Sequence, residues 1–286
     1  MTAAAKSPLY FAWRRFTANK AAAVAGFILA VLIAMAIIAP IITKTGYAAQ
    51  DFLTQALAFP SSEFWFGVDD LGRDFFTRIV YGARVSLTIG FTAAAFSVII
   101  GIPLGALAGY YGGKTDWVVM RLIELFSVVP PLLAAMLLGA LTQGGFATIV
   151  LIAALFGWVQ VCLLVRAQVK AFREKEFVRA AQAMGASPWY VIRRHLIPNS
   201  ISPIIVGFVL AIPLAMMLEA SLSFLGIGVP PPTPSWGQMI NTGMNFMYFY
   251  WHMAVFPTAA LAITVLATTL FGDGLRDALD PTLKGR

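Results

Sequence analysis

The sequence predicts an all-α, polytopic membrane protein with six transmembrane helices and both termini cytoplasmic. An apolar composition, uncharged runs of bilayer-spanning length and a lopsided distribution of cations carry this prediction. Of the 286 residues, 59% are hydrophobic and 12% charged, against about 45–50% and about 25% in soluble domains. With 24 glycines as well, a soluble globule of this size would lack the polar residues to cover its surface. The composition also excludes several chemistries. The one cysteine, Cys162, cannot form an intramolecular disulfide or a thiolate cluster. His195 and His252 lie too far apart for an HExxH-type metal motif. The first apolar run, 21–42, is too long for a signal-peptide core, and no small-residue cleavage site follows it.

A hydrocarbon core of about 30 Å needs around 20 helical residues. Gaps between charges place spans at 21–42, 85–110, 118–141, 146–165, 201–222 and 254–271. The third and fourth form a hairpin because Thr142-Gln143-Gly144-Gly145 is a turn signal within one long uncharged run. Orientation follows from Lys and Arg in the connections. The N-terminal tail carries Lys6, Arg14, Arg15 and Lys20, and the second connection Lys114 and Arg121. The fourth carries seven cations, among them Arg166, Lys170, Arg179, Arg193 and Arg194, and the C-terminal tail Arg276, Lys284 and Arg286. The third and fifth have none. The first, 43–84, has Lys44, Arg73, Arg78 and Arg84 offset by acids. The positive charge is therefore a positive-inside bias, and a nucleic-acid partner is an unnecessary hypothesis. The organisation expected is a tail, 1–20, and one transmembrane domain, 21–286. That domain has an inner loop at 166–200 and external loops at 43–84 and 223–253.

The inner loop is the most informative segment. Residues 176–184 favour helix, starting at Glu176, with Phe177, Ala180, Ala181 and Met184 at helical spacing on one face. Gly185 is placed to end that helix, and Ser187-Pro188 starts a second with a serine cap and proline at the first position. Two short helices at an angle would present an apolar patch of small residues edged with cations. This is either a plain surface hairpin or a knob that enters a groove on a partner.

These residues resemble the EAA loop of importer-type ABC transporter permeases. Ala180-Ala181, Gly185 and Pro198 match at the family spacing, while Arg179, His195 and Ile197 stand where the pattern has Glu, Ile and Leu. Other stretches resemble the "C" subunit of the dipeptide/oligopeptide branch, in order along the whole chain. They are 13–16 (WRRF), 66–74 (FGVDDLGRD), 81–87 (YGARVSL), 219–226 (EASLSFLG), Trp236-Gly237 and 272–281 (GDGLRDALDP).

The resemblance implies a type I importer-like permease in the bacterial or archaeal cytoplasmic membrane. It implies a second homologous permease, two ATP-binding subunits (or a homodimer of one), an extracytoplasmic substrate-binding protein and surrounding membrane lipid. The chain itself would need no cofactor, since ATP and Mg would be held by the partner subunits. The segment 176–190, with Pro198 closing the pattern, would couple to the ATPases through Glu176, Phe177, Arg179, Ala180, Ala181, Met184, Gly185, Ser187 and Pro188.

Further motifs have competing readings. Residues 108–115 fit a relaxed Walker A pattern, but a phosphate loop needs a preceding strand, and here a membrane helix precedes it. The chain is therefore expected not to be an enzyme. Gly101, Gly105, Gly109 and Gly113 recur every four residues and mark a close helix contact, in this chain or with a partner. Pro103, Pro130-Pro131, Pro213 and Pro257 can kink their spans. Glu124 follows Arg121 by three residues, and an i,i+3 ion pair or a bond to the 166–200 loop explains it without substrate. Glu219, with Ser221 and Ser223, lies near the outer end of its span. It either meets a peptide amino terminus, as part of a gate or substrate path, or bonds between helices. The fifth connection has no charge and is rich in aromatics, as a re-entrant or interfacial segment would be. Trp236, with Asp69, Asp70, Arg73 and Asp74 of the first external loop, is a candidate contact for the binding protein.

The function expected is a permease subunit of an ATP-driven importer of short peptides. The same fold importing nickel or another small solute is the alternative within the family. A secondary transporter would show midspan ionisable groups or paired broken helices, and an intramembrane enzyme would show a nucleophile–base pairing. Neither pattern is evident.

Overall fold

A computed structural model describes residues 8–43, 45–50, 56–142 and 144–279. Lys6, Lys44, Gln143, Asp280, Pro281, Lys284 and Arg286 lie outside the described residues. The architecture is all-α. Five helices are long and apolar enough to cross a membrane: α2 (Lys20–Ile42), α3 (Phe75–Tyr111), α6 (Phe146–Arg173), α10 (Ile201–Phe224) and α12 (His252–Leu279). A sixth crossing exists if α4 (Gly113–Val128) and α5 (Pro131–Thr142), bent by 79° at their junction, are taken as one span. The protein is thus a multi-pass membrane protein.

The expected third span, 118–141, is this bent pair rather than a straight helix. Val129 is extended (φ −81°, ψ 119°), the backbone forced on a residue that precedes proline, and Pro130-Pro131 withdraws two consecutive donors. Pro103, Pro213 and Pro257 instead sit inside continuous helices. The second span also differs from expectation. Its helix starts at Phe75, so Arg78 and Arg84, expected in the external loop, lie on α3. Asp74 caps it by accepting from the Thr77 backbone at 3.0 Å, satisfying one of the orphan donors of the first turn. Likewise Arg166, Lys170 and Arg173, expected in the inner loop, are the last turns of α6.

The glycine ladder identifies its partner. On α3, an added Cβ at Gly101 would come within 3 Å of Val161, at Gly105 of Val165 and at Gly109 of Val169, all on α6. Small residues four apart let two membrane helices approach backbone to backbone. Gly113 is not a member of this face. It opens α4 after Gly112, both with positive φ, and a Cβ there would meet nothing.

Helix α10 lies between α3, α6 and α12, with Ile212, Met216 and Ala220 buried beside Ile79, Ala83 and Leu87 of α3. Helix α2 lies largely outside this core and packs along α12, Ala22 against Gly274. A short helix, α1 (Pro8–Ala18), precedes it and docks Phe16 on Phe271 with ring centroids 5.3 Å apart. The uncharged fifth connection folds back into the protein as α11 (Trp236–Phe246). It buries Trp236 and Met239 in the main core and leaves Tyr248 and Phe249 beyond it exposed.

Candidate functional site

The segment 166–200 forms the two short helices expected. Helix α7 (Glu176–Ala183) has a buried face of Val178 and Ala181. The helix ends before Gly185, whose φ of +84° is a left-handed conformation that favours glycine. Ser187 caps the next helix, α8 (Pro188–Val191), accepting from the Tyr190 backbone at 3.3 Å. A π-helical turn, Ile192–Leu196, and α9 (Ile197–Asn199), which holds Pro198, lead into α10.

The apolar patch differs from the expected one by the position of one residue. Ala181 is buried with Val178 and Val191 in a cluster with Tyr110 of α3 and Val165 and Val169 of α6. Phe177, Ala180 and Met184 point outward, Met184 with 82% of its surface exposed. Glu176, Ser187 and Pro188 lie toward solvent as well. A second tie to the span ends is polar, the Gln182 amide donating to the Tyr110 hydroxyl at 3.1 Å. Arg179 pairs with Glu174 at 3.0 Å, with both side chains about two-thirds exposed, so solvent screening leaves that pair little energy. The outcome is a knob held rigidly from beneath, with a free apolar tip.

Helices α3, α6 and α10 with the start of α5 line a partly open cavity of about 480 Å3. Its wall is apolar, mixing small residues such as Ala153, Gly157 and Gly207 with Phe156 and several leucines, and Ser97 and Gln160 are its polar members. No charged side chain among the described residues lines it. The volume falls in the range of about 300–1,000 Å3 usual for small-molecule sites.

Glu219 does not line this cavity. It is fully buried at the contact of α3, α10 and the start of α11. The Ser86 hydroxyl of α3 donates to its Oε2 at 3.1 Å and Ser223 to its Oε1 at 2.7 Å. Ser235 extends the chain by donating to Ser223 at 3.3 Å, and the Trp236 backbone donates to Ser86 at 3.4 Å. Ser221 is separate, its hydroxyl donating to the Met217 carbonyl. Of the expected gate residues, then, Glu219 and Ser223 meet, and both bond between elements. Glu219→Ala is expected to lower stability by about 1–3 kcal/mol, because it strands buried hydroxyls. Glu219→Gln, which keeps an acceptor and adds a donor, should stay near the parent. Thermal unfolding of the purified complex in detergent distinguishes the two, and equal midpoints for Ala and the parent would refute the bonding role.

The acidic loop before α3 is also built inward. Asp69 is buried, accepts from the Leu71 and Arg73 backbones at 2.9 Å, and pairs with Arg73 at 2.6 Å and Arg78 at 3.2 Å. Arg78 further donates to the carbonyls of Tyr47 and Pro232, at 3.2 and 3.3 Å, clasping three segments distant in the chain. Trp236 is fully buried, its indole N–H donating to the Ile79 carbonyl at 3.0 Å. Asp69, Arg73 and Trp236 therefore have little or no surface to offer a binding protein, and Asp74 is occupied by its helix cap. Asp70 remains at the rim, 3.8 Å from Arg73. Partial burial, and then the neighbouring Asp69 carboxylate, hold its carboxyl above the usual carboxylate range, opposed by Arg73.

Sequence reasoning misses Ser86, Ser235 and the bidentate pair of Arg166 on α6 with Asp116 on α4. It does find the Glu124–Arg121 pair, seen at 2.5 Å. The Walker-like run 108–115 is the end of α3 and its Gly112 turn into α4, with no strand before it among the described residues.

Comparison with known proteins places this arrangement. Residues 101–285 match the family described as binding-protein-dependent transport system inner membrane component. The chain belongs to this family. Residues 7–60 match the N-terminal TM domain of oligopeptide transport permease C. The dipeptide transport system permease protein DppC of Bacillus subtilis is 42% identical over 96% of this chain and 85% of its own length. The oligopeptide permease protein OppC of the same organism is 40% identical over 94% and 88%. The glutathione permease protein GsiD of Pectobacterium atrosepticum is 40% identical over 95% and 90%. A chain of the MetNI methionine ABC transporter in an inward facing conformation superposes with a TM-score of 0.57 at 18% identity. The match covers 71% of this chain and 96% of that one, and it supports the fold alone. As a permease component, this chain is a transport subunit and not itself an enzyme.

Proposed function

We propose that this permease carries short peptides into the cell. It would have six spans, with α4 and α5 as the bent third, and both termini in the cytoplasm. It would sit in a bacterial or archaeal cytoplasmic membrane beside a second, homologous permease. Two ATP-binding subunits would lie beneath and a substrate-binding protein outside, where the rim residue Asp70 and the exposed aromatics after α11 remain available for contact. The relatives named above serve dipeptides, oligopeptides and glutathione. The cavity suits such a range, being roomy and uncharged, so that it fixes no particular side chain or terminus.

The observation that carries the coupling reading is the α7 knob. A force on its free tip of Phe177, Ala180 and Met184 passes through Val178, Ala181 and the Gln182–Tyr110 bond into α3 and α6, the two helices locked by the glycine ladder. ATP-driven closure of the ATPases would thereby rock the walls of the cavity.

The test uses the complete transporter with Cys162→Ser. A cysteine at Met184 is expected to crosslink to an ATP-binding subunit, and one at Ala181, buried, is not. Phe177→Ala is expected to lower ATP-driven uptake of a labelled dipeptide in proteoliposomes about tenfold, the order expected of an aromatic interface anchor. Uptake that persists without ATP, with no crosslink from Met184, would overturn this reading in favour of a secondary transporter.

A further inference from the structure

On the outside of the helix bundle, α2 and α12 flank an open groove of about 440 Å3. Its walls are apolar, formed by Val24, Ile28, Ile263, Leu266 and Leu270, and Lys20 is the charged residue that lines it. The wall on α2 runs from Lys20 to Ile28, roughly 12 Å at the helical rise, so the groove is a slot with a cation at one end. The chain enters that end from α1, which anchors through Phe16 on Phe271 and leaves Trp13, Phe11 and Arg14 exposed. Exposed aromatics beside cations on a short helix are the composition of a segment that lies at the membrane interface. Lys20 and Arg14 have no carboxylate within ion-pair distance among the described residues.

An apolar slot alone would take any acyl chain. The cation at its mouth, unpaired among the described residues and set at headgroup depth by α1, adds a preference for negative charge there. We propose that the α2–α12 groove binds one anionic phospholipid, with an acyl chain in the slot and the phosphate on the Lys20 ammonium. Arg14 lies in the same headgroup layer and adds to the local positive potential. The site rests on the membrane placement of these helices and is independent of the solute carried.

The complete transporter would be placed in nanodiscs of equal parts phosphatidylglycerol and phosphatidylcholine, and the lipid retained after extraction into mild detergent measured by native mass spectrometry. Retention of phosphatidylglycerol over phosphatidylcholine is expected for the parent. Lys20→Gln should reduce that preference about fivefold, the contribution of one basic side chain near an anionic surface, and Lys20→Arg should keep it. Val24→Trp, which fills the slot without touching the cation, should reduce retention of both lipids. Equal retention of the two lipids by the parent, or an unchanged preference in Lys20→Gln, would overturn the proposal. So would a crosslink from a cysteine at Leu266 to the second permease, since the groove would then be a subunit interface.

Discussion

Replacing Asp69 by alanine is expected to cost about 3–5 kcal/mol, the penalty for removing one partner of a buried ion pair. Here the penalty falls on two guanidinium groups. The Arg73 and Arg78 side chains are 10% and 5% exposed and share the Asp69 carboxylate. Without it they face each other with only Asp70 nearby, 3.8 Å from Arg73 and at the rim. The loss would not stay local, because Arg78 also ties down Tyr47 and the Pro232 segment, and the first turn of α3 depends on the same loop. Asp70→Ala, by contrast, removes a partly exposed and distant partner and should cost no more than about 1 kcal/mol. Thermal unfolding of the complex, with protein abundance in the membrane as a second readout, separates these. An Asp69→Ala midpoint equal to that of Asp70→Ala would show that the cluster does not hold this end of the bundle together.

This cluster also shows why some of the structure is not legible in the sequence. Runs without charge locate the spans, because burying an unpaired charge in hydrocarbon is costly. The same logic misplaces the start of α3. Counting charges assigns Arg78 and Arg84 to a loop, whereas Arg78 is buried, which is tolerable because Asp69 and two carbonyls surround it. Proline is equally ambiguous. Pro103, Pro213 and Pro257 remove one donor each and leave their helices continuous, while the tandem at 130 and 131 leaves an extended residue and a 79° turn. In the 166–200 segment the helix period holds but one residue changes face. Ala181, expected on the presented face with Phe177, Ala180 and Met184, joins Val178 underneath, because the ends of α3 and α6 cover that side and periodicity alone does not say which neighbours an apolar face meets. Ser86 and Ser235 carry no local signal. Their roles exist only because α3, α10 and α11 converge on Glu219 from distant stretches of the chain.

The second large effect is expected at Gly105. Its Cα faces α6 so closely that a methyl group would lie 2.5 Å from the Cys162 carbonyl oxygen and 2.9 Å from the Val165 Cβ. Neither obstacle is the flexible end of a side chain, so Gly105→Ala must push the α3 and α6 backbones apart, at a cost of about 1–3 kcal/mol. Gly105→Leu should prevent folded protein from accumulating. Gly207→Ala is the informative contrast. Its Cβ would meet only the Leu164 Cδ2, at 3.0 Å, an atom that a rotamer change moves aside, so near-parent stability is expected. If close approach of α3 and α6 also transmits the motion of α7, Gly105→Ala should lower ATP-driven uptake by more than its unfolded fraction explains. Measuring uptake per folded transporter tests this directly. A Gly105→Ala protein with parental stability and uptake would mean that the ladder tolerates separation and is not the rigid link between α7 and the cavity.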